Sequence, residues 1–155
     1  EATASTLGTG IGFQLNSADY PHIVYSDTTA GSIRYAYCGS AAATCALSGA
    51  SAFTSSLVET VGVTSTVGET APSLVISSAG VKYLAFHNYT LKALRLGTLS
   101  ATGSSYSLET LDAPPSGANF TSGVGQYAST VTNDSGGPMI FYRSNENWLK
   151  YFSRE

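Results

Sequence analysis

Apolar and polar residues alternate along most of this chain with a period of two, the period of β-strands that bury one face. The clearest alternating segments are residues 21–27 (PHIVYSD), 82–88 (KYLAFHN) and 138–144 (PMIFYRS). No window has the 3.6-residue period of an amphipathic helix. The pattern therefore predicts an all-β domain.

The alternating segments recur within a larger unit of four short predicted strands, which we label A to D. Each segment is a strand B, and a polar turn and a further strand-like stretch, strand A, precede it. The turns are residues 16–19, 77–80 and 133–137, and the A strands are residues 12–15, 73–76 and 129–132. Repeated units of this size indicate a repeat architecture, so we looked for the same residues at fixed spacing.

An apolar residue followed by a basic one marks the predicted strand C of each unit. These pairs are Ile33–Arg34, Leu91–Lys92 and Leu149–Lys150. Their apolar members are 58 residues apart both times (91 − 33 and 149 − 91). We expect the apolar residue to face the neighbouring unit and the basic side chain to cross to a wetter side, its stem covering apolar surface.

The third unit ends after strand C, and residues 2–8 resemble the end of a strand D. The simplest prediction is that residues 2–8 complete the third unit, either in the same chain or in a neighbouring one, which leaves few exposed strand edges. The sequence thus predicts one domain over residues 1–155. Its units cover about 11–62, about 72–112, and about 127–155 together with the N-terminal strand.

Two of the units resemble the repeats of secreted bacterial β-propeller proteins, which have the form S-L-x-x-D-x-x-G-x-P-H-I-x-Y-x-D followed by L-K-Y-A. The matching residues are 21–27 with 33–36, and 138–142 with 149–151, whereas residues 82–86 depart more. The resemblance implies a propeller of three four-stranded antiparallel blades per chain and a lectin-like or adhesin-like role.

Three blades are fewer than the four to eight of typical propellers. We therefore expect oligomerisation to complete the ring, with two copies giving six blades. A trimer, as at the tip of a fibre, and a fragment of a longer propeller are the alternatives.

The composition narrows the class of protein and its partners. Charged residues make up 11 % of the chain and the net charge is −3, with no basic patch. Nucleic acid and anionic membranes are therefore not expected as partners. No apolar run reaches the roughly 18–20 residues that span a bilayer, so membrane insertion is not expected. A turn-rich, weakly charged all-β chain is typical of secreted or surface-exposed proteins.

The two cysteines, Cys38 and Cys45, are separated by six residues. This spacing favours a disulfide that closes a small loop, which in turn indicates an oxidising compartment. Free thiols are the alternative. A zinc site needs further ligands that the sequence does not provide, so we predict no metal and no cofactor.

The B–C turns and the D–A loops share one end of a propeller, the end that usually binds ligands. Those segments combine polar side chains with aromatic rings, as a shallow glycan site requires. The candidate ligand-binding residues are Asp27, His87, Asn88, Tyr89, Phe120, Arg143, Asn145, Glu146, Asn147 and Trp148. Trp148 is equally suited to filling space between blades, and Phe120 to an oligomer contact.

The sequence contains no convincing catalytic constellation. Of the two histidines, His22 lies inside a predicted strand and is expected to pack. Glu59 and Glu109 are placed at equivalent positions of the D strands and are read as a solvated face, because a glycosidase needs two carboxylates facing each other.

We therefore expect a non-catalytic extracellular module that binds a glycan or a cell-surface polymer. A structural or oligomerising tip of a surface fibre and a fragment of a propeller glycosidase or lyase are the alternatives.

Overall fold

A computed structural model describes residues 7–39, 45, 53–62, 71–101, 105–116 and 123–155. Within these residues lie eleven β-strands. They are β1 (Leu7–Leu15), β2 (Pro21–Asp27), β3 (Ser32–Cys38), β4 (Phe53–Thr60), β5 (Ser73–Ile76), β6 (Lys82–Asn88), β7 (Ala93–Leu99), β8 (Ser107–Asp112), β9 (Gln126–Thr132), β10 (Pro138–Arg143) and β11 (Leu149–Ser153). The all-β prediction is confirmed for this part of the chain.

The strands form three antiparallel sheets, each made of strands that are consecutive in the sequence. The first sheet has the order β1–β2–β3–β4, the second β5–β6–β7–β8 and the third β9–β10–β11. The first strand, β1, already contains Leu7, which pairs with Asp27. Residues 2–6 of the strand predicted to complete the third unit lie outside the described residues, so that completion stays a prediction.

The predicted turns between strands A and B are confirmed and share one hydrogen-bonding pattern. Asn16, Ser77 and Asn133 each accept a hydrogen bond through the side-chain oxygen from the backbone N–H four residues on, at 3.0, 3.1 and 2.8 Å. Short polar side chains favour such turns because they bond to their own backbone. The three sheets therefore begin in the same way.

The predicted repeat spacing is wrong in the second sheet. Ile33 pairs with Ser26 at the end of β2, and the residue in the same place in the second sheet is Leu94, which pairs with His87. Leu91 and Lys92 lie in the turn before β7, where Lys92 has a φ of 54°. The apolar–basic pair of this sheet is therefore Leu94–Arg95, and the even spacing of 58 residues was a coincidence.

The same shift of three residues affects the outer strands. Glu59 pairs with Ile33, and Asp112 pairs with Leu94. Asp112, and not Glu109, is therefore the structural equivalent of Glu59. Both outer strands have a register irregularity next to this carboxylate, which supports the corrected alignment.

The basic residue of strand C joins each sheet to the one before it. Arg95 of the second sheet forms an ion pair with Glu59 of the first, at 2.8 Å. Lys150 of the third sheet forms one with Asp112 of the second, at 2.9 Å. Because the two pairs connect equivalent positions, they form a repeated contact between consecutive sheets.

The sheets pack face to face around two apolar cores. The first core lies between the first and second sheets and includes Val24, Ile33, Leu84 and Phe86, all fully buried. The second lies between the second and third sheets and includes Ala85, Leu94, Leu96, Val124, Ile140 and Tyr142. Each strand of the second sheet thus contributes alternate residues to opposite cores, as the period of two requires.

The first strand of each sheet lies beside the first strand of the next. Gln14 accepts a hydrogen bond from the backbone N–H of Ile76 at 2.7 Å, and Ser73 accepts one from the N–H of Thr130 at 2.9 Å. These side chains satisfy backbone donors on the free edges of β5 and β9. The approach is close, because a Cβ added at Gly10 would stand 2.5 Å from the Cα of Ala71.

Candidate functional site

Three of the residues predicted to bind a ligand are buried and hold the turns between strands B and C. Asp27 and Asn88 each accept a hydrogen bond from the backbone N–H three residues on, at 2.9 Å in both turns. His87 lies within β6, and its Nδ1 is 2.7 Å from the carbonyl oxygen of Val124. The prediction that these three side chains lie in solvent-facing loops is wrong, since each is less than 10 % exposed.

The other predicted residues in these turns are at least partly exposed. They are Tyr89, Arg143, Asn145, Glu146, Asn147 and Trp148. Ser144 fixes the turn of the third sheet by accepting hydrogen bonds from the backbone N–H of Glu146 and of Trp148. Phe120 lies outside the described residues.

Two shallow depressions flank Trp148. One, of about 340 Å³, brings Arg143, Asn147 and Trp148 together with Tyr127 and the apolar surface of the third sheet. The guanidinium of Arg143 lies 5.4 Å from the centre of the Tyr127 ring, a cation–π distance. The other, of about 380 Å³, is lined by Asn145, Glu146 and Trp148, among others. The predicted residues of the third sheet are therefore neighbours, and Tyr89 lines neither depression.

A larger cleft, of about 600 Å³, lies at the opposite end of the strands, between the first and second sheets. Its lining combines aromatic rings with hydroxyl, amide and ammonium groups. The lining residues are Asn16, Tyr20, His22, Tyr35, Tyr37, Gly39, Thr54, Ser56, Lys82, Leu99, Ala101 and Tyr106. The volume lies in the range of pockets that hold small molecules.

Three rings of the cleft come from neighbouring strands of the first sheet. His22 on β2 pairs with Tyr37 on β3, and Tyr35 follows on the same face two residues earlier. Their ring centres are 5.9–6.0 Å apart and their planes differ by 25° or less. The Tyr35 hydroxyl also bonds to Nδ1 of His22. The alternation of a single sheet face thus builds an aromatic wall.

The second sheet closes the cleft from the other side. Tyr106 meets the Tyr35 ring edge-on, with centres 6.1 Å apart, and its hydroxyl lies 2.8 Å from Oγ of Ser56. Lys82 begins β6, and its ammonium donates to the carbonyl oxygens of Ala101 at 3.0 Å and of Ser100 at 3.4 Å. The cleft is therefore a junction between two sheets.

The electrostatics of the cleft are set by burial and by the Lys82 ammonium. Burial lowers the pKa of Lys82 and, together with the positive charge of Lys82, lowers the pKa of His22 below 6.5. Burial also raises the pKa of Tyr35, helped by Tyr106 and Tyr37. The wall thus presents neutral rings and hydroxyls beside one cation.

This arrangement is suited to binding. Aromatic faces stack on the apolar faces of a sugar, while hydroxyl and amide groups bond to its hydroxyls. No Asp or Glu is among the described residues of the lining, whereas hydrolysis of a glycosidic bond usually uses a pair of carboxylates. The buried Nε2 of His22 has no hydrogen-bond partner among the described residues.

The predicted disulfide between Cys38 and Cys45 is confirmed, with Cα atoms 6.1 Å apart. Cys38 ends β3 and is followed by Gly39, which lines the cleft. The bridge therefore ties down the chain at the rim of the cleft. It also indicates an oxidising, extracellular environment.

Sequence reasoning missed this cleft, although it placed His22 correctly as a packed residue of strand B. His22 is 4 % exposed. The available pattern was the Tyr35-x-Tyr37 alternation, which sets two tyrosines on one face of a strand. Recognising that this face also carries His22 required the pairing register of β2 and β3.

Comparison with protein-family models and with curated proteins gives no match for this chain. No helix in the described part of the chain is long and apolar enough to cross a membrane.

Proposed function

We propose that the three sheets are three consecutive blades of a β-propeller. Four-stranded sheets arranged around a common axis define that architecture. Three repeated features support it: the neighbouring first strands, the two equivalent ion pairs between consecutive sheets, and the shared turn chemistry. Twisted sheets stacked face to face with their first strands side by side would continue into a ring.

We further propose that the protein is a non-catalytic, secreted or surface-exposed recognition module that binds a glycan in the cleft between the first two sheets. The observation that carries this proposal is the wall of His22, Tyr35 and Tyr37, which stands opposite Tyr106 and Lys82 in a cavity of about 600 Å³. Stacked rings with hydroxyl groups on the opposite wall are what a sugar-binding site needs.

The charge of the cleft favours an acidic sugar over a neutral one. Lys82 is a cation in a lining with no described carboxylate, and its ammonium bonds only to carbonyl oxygens among the contacts found. A uronic acid or a sulfated sugar would supply the missing anion, since a charge-assisted hydrogen bond is about twice as strong as a neutral one.

A matched pair of tyrosine variants tests the location of the site. Tyr37 is 39 % exposed and lines the cleft, whereas Tyr89 is 38 % exposed and belongs to the turns predicted from the sequence. On an array of neutral and acidic glycans, the wild type should bind at least one acidic glycan. Tyr37→Ala should weaken that binding by roughly tenfold or more, as loss of a stacking ring does, and Tyr89→Ala should leave it unchanged.

The opposite ranking of the two variants would place the site at the B–C turns, and a wild type that binds no glycan would contradict the proposal. The preference for acids has a separate test. Lys82→Met should reduce the affinity for glucuronate-containing oligosaccharides but not for their glucose counterparts.

A structural role as an oligomerising tip of a surface fibre is the second candidate. The exposed apolar side chains on the outer faces of the first and third sheets favour it, among them Phe13, Leu149 and Tyr151. In that case the chain would assemble normally and the glycan array would stay empty.

A further inference from the structure

The third sheet exposes an apolar face whose counterparts elsewhere in the chain are buried. Phe141, Leu149 and Tyr151 are 38, 79 and 68 % exposed. We call them, together with Val131, the leading face. In a protein of this size, so many large apolar side chains on one sheet face mark an interaction surface.

The repeat identifies what covers such a face. By pairing register, Phe141, Leu149 and Tyr151 stand where Ala85, Leu94 and Leu96 stand in the second sheet. Those three residues are fully buried, because the third sheet packs on them. The equivalent residues of the first sheet, Val24, Ile33 and Tyr35, are buried in turn by the second sheet. The leading face thus has the form of a surface that a following sheet covers.

The first sheet exposes the complementary face. Phe13 and Leu15 are 59 and 41 % exposed, and Ile11 and Leu57 are exposed as well. By register, Phe13 and Leu15 correspond to Leu74 and Ile76, which are less than 9 % exposed because they pack against the sheet before them. We call Ile11, Phe13, Leu15 and Leu57 the trailing face.

We propose that the leading face of one chain packs on the trailing face of a second copy, and that two copies close a six-sheet ring. This rests on the propeller part of the proposed function. The new junction would repeat the two junctions within the chain, so a copy of the chain is the partner that already carries the fitting surface. Two copies form two such junctions, and six sheets lie within the four to eight of known propellers.

The ring gives Trp148 a different role from ligand binding. Trp148 stands where Ser32 and Ala93 stand in the other sheets, both of which are less than 5 % exposed. In the closed ring Trp148 therefore lies at the junction with the second copy. The two clefts between first and second sheets stay separate from the new junctions, so one ring carries two glycan sites.

Three variants measured by sedimentation velocity test the junction. Leu149→Asp puts a charge on the leading face, and Phe13→Asp puts one on the trailing face. Leu91→Asp is the matched control, because Leu91 is 51 % exposed in a turn that belongs to neither face. Circular dichroism verifies that each variant folds, which we expect since all three positions are exposed.

We expect the wild type and Leu91→Asp to sediment as two-chain species. Leu149→Asp and Phe13→Asp should each raise the dissociation constant by about 100-fold or more, because each charge is buried at both junctions of the ring.

Loss of the dimer in only one of the two face variants would indicate a symmetric face-to-face contact and would overturn the proposal. So would a monomeric or trimeric wild type. A monomer that still binds the glycan would refute the ring alone, and a dimer that binds no glycan would refute only the glycan site.

Discussion

Replacing Arg95 should loosen the contact between the first two sheets far more than replacing Lys150 loosens the next one. The Arg95 guanidinium bonds to both carboxylate oxygens of Glu59, through Nε at 3.1 and 3.2 Å and through Nη2 at 2.8 Å. Its Nη1 donates to Thr110 at 2.6 Å. Lys150 makes the equivalent pair with a single contact to Asp112.

The difference in burial sets the expected magnitude. The Arg95 and Glu59 side chains are 13 and 15 % exposed, whereas the Lys150 side chain is 50 % exposed. Breaking a fully buried pair costs about 3–5 kcal/mol and an exposed pair contributes about 0–1 kcal/mol. We therefore expect Arg95→Met to lower the free energy of unfolding by about 2–3 kcal/mol and Lys150→Met by less than about 1 kcal/mol.

The assay is urea unfolding followed by circular dichroism, carried out in the Phe13→Asp background so that association does not contribute. A double-mutant cycle of Arg95→Met with Glu59→Gln should give a coupling energy of about 1.5 kcal/mol or more. A coupling below about 0.5 kcal/mol, or equal losses for Arg95→Met and Lys150→Met, would refute the view that this pair joins the sheets.

Three further predictions concern stability. His22 has a pKa below 6.5 because of burial and the Lys82 charge, so it stays neutral where the unfolded chain takes up a proton. Its contribution is complete above pH 6.5 and is lost as the pH falls through the lower folded-state value. The unfolding free energy of the wild type should therefore fall more steeply below pH 6.5 than that of His22→Asn; equal slopes would contradict this. Gly10→Ala should lower the melting temperature by several degrees, because its Cβ would meet the Ala71 backbone, whereas Gly39→Ala should change it little. Replacing Cys38 and Cys45 with Ser should cost about 2–3 kcal/mol, and a reductant should destabilise the wild type but not this variant.

The strands and turns were predictable because their physical causes are local. A period of two in residues 82–88 and a polar residue such as Asn133 before a short turn need no knowledge of distant contacts. The disulfide followed from the short spacing between Cys38 and Cys45. These features depend on neighbours in the sequence.

The register of the repeat was not predictable from spacing alone. Leu91–Lys92 matches the expected apolar–basic pattern as well as Leu94–Arg95 does, and the even interval favoured the wrong pair. Only the pairing of His87 with Leu94 decides between them. Loops of unequal length shift equivalent residues, so a constant interval is a poor guide to structural equivalence.

The candidate site was hidden for a related reason. Asp27 and Asn88 looked like ligand-binding side chains because polar residues in turns usually face solvent, yet their own backbone uses them. The cleft instead combines rings from β2 and β3 with Lys82 of another sheet. Such a site arises from tertiary packing, which no stretch of sequence shows by itself.

The mass of the wild-type protein in solution, measured by light scattering after size exclusion, tests the central claim most directly. Two copies of a 16.0 kDa chain give about 32 kDa, which is the value that the six-sheet ring predicts. A mass of 16.0 kDa at micromolar concentration would show that the leading and trailing faces stay uncovered and would contradict the ring.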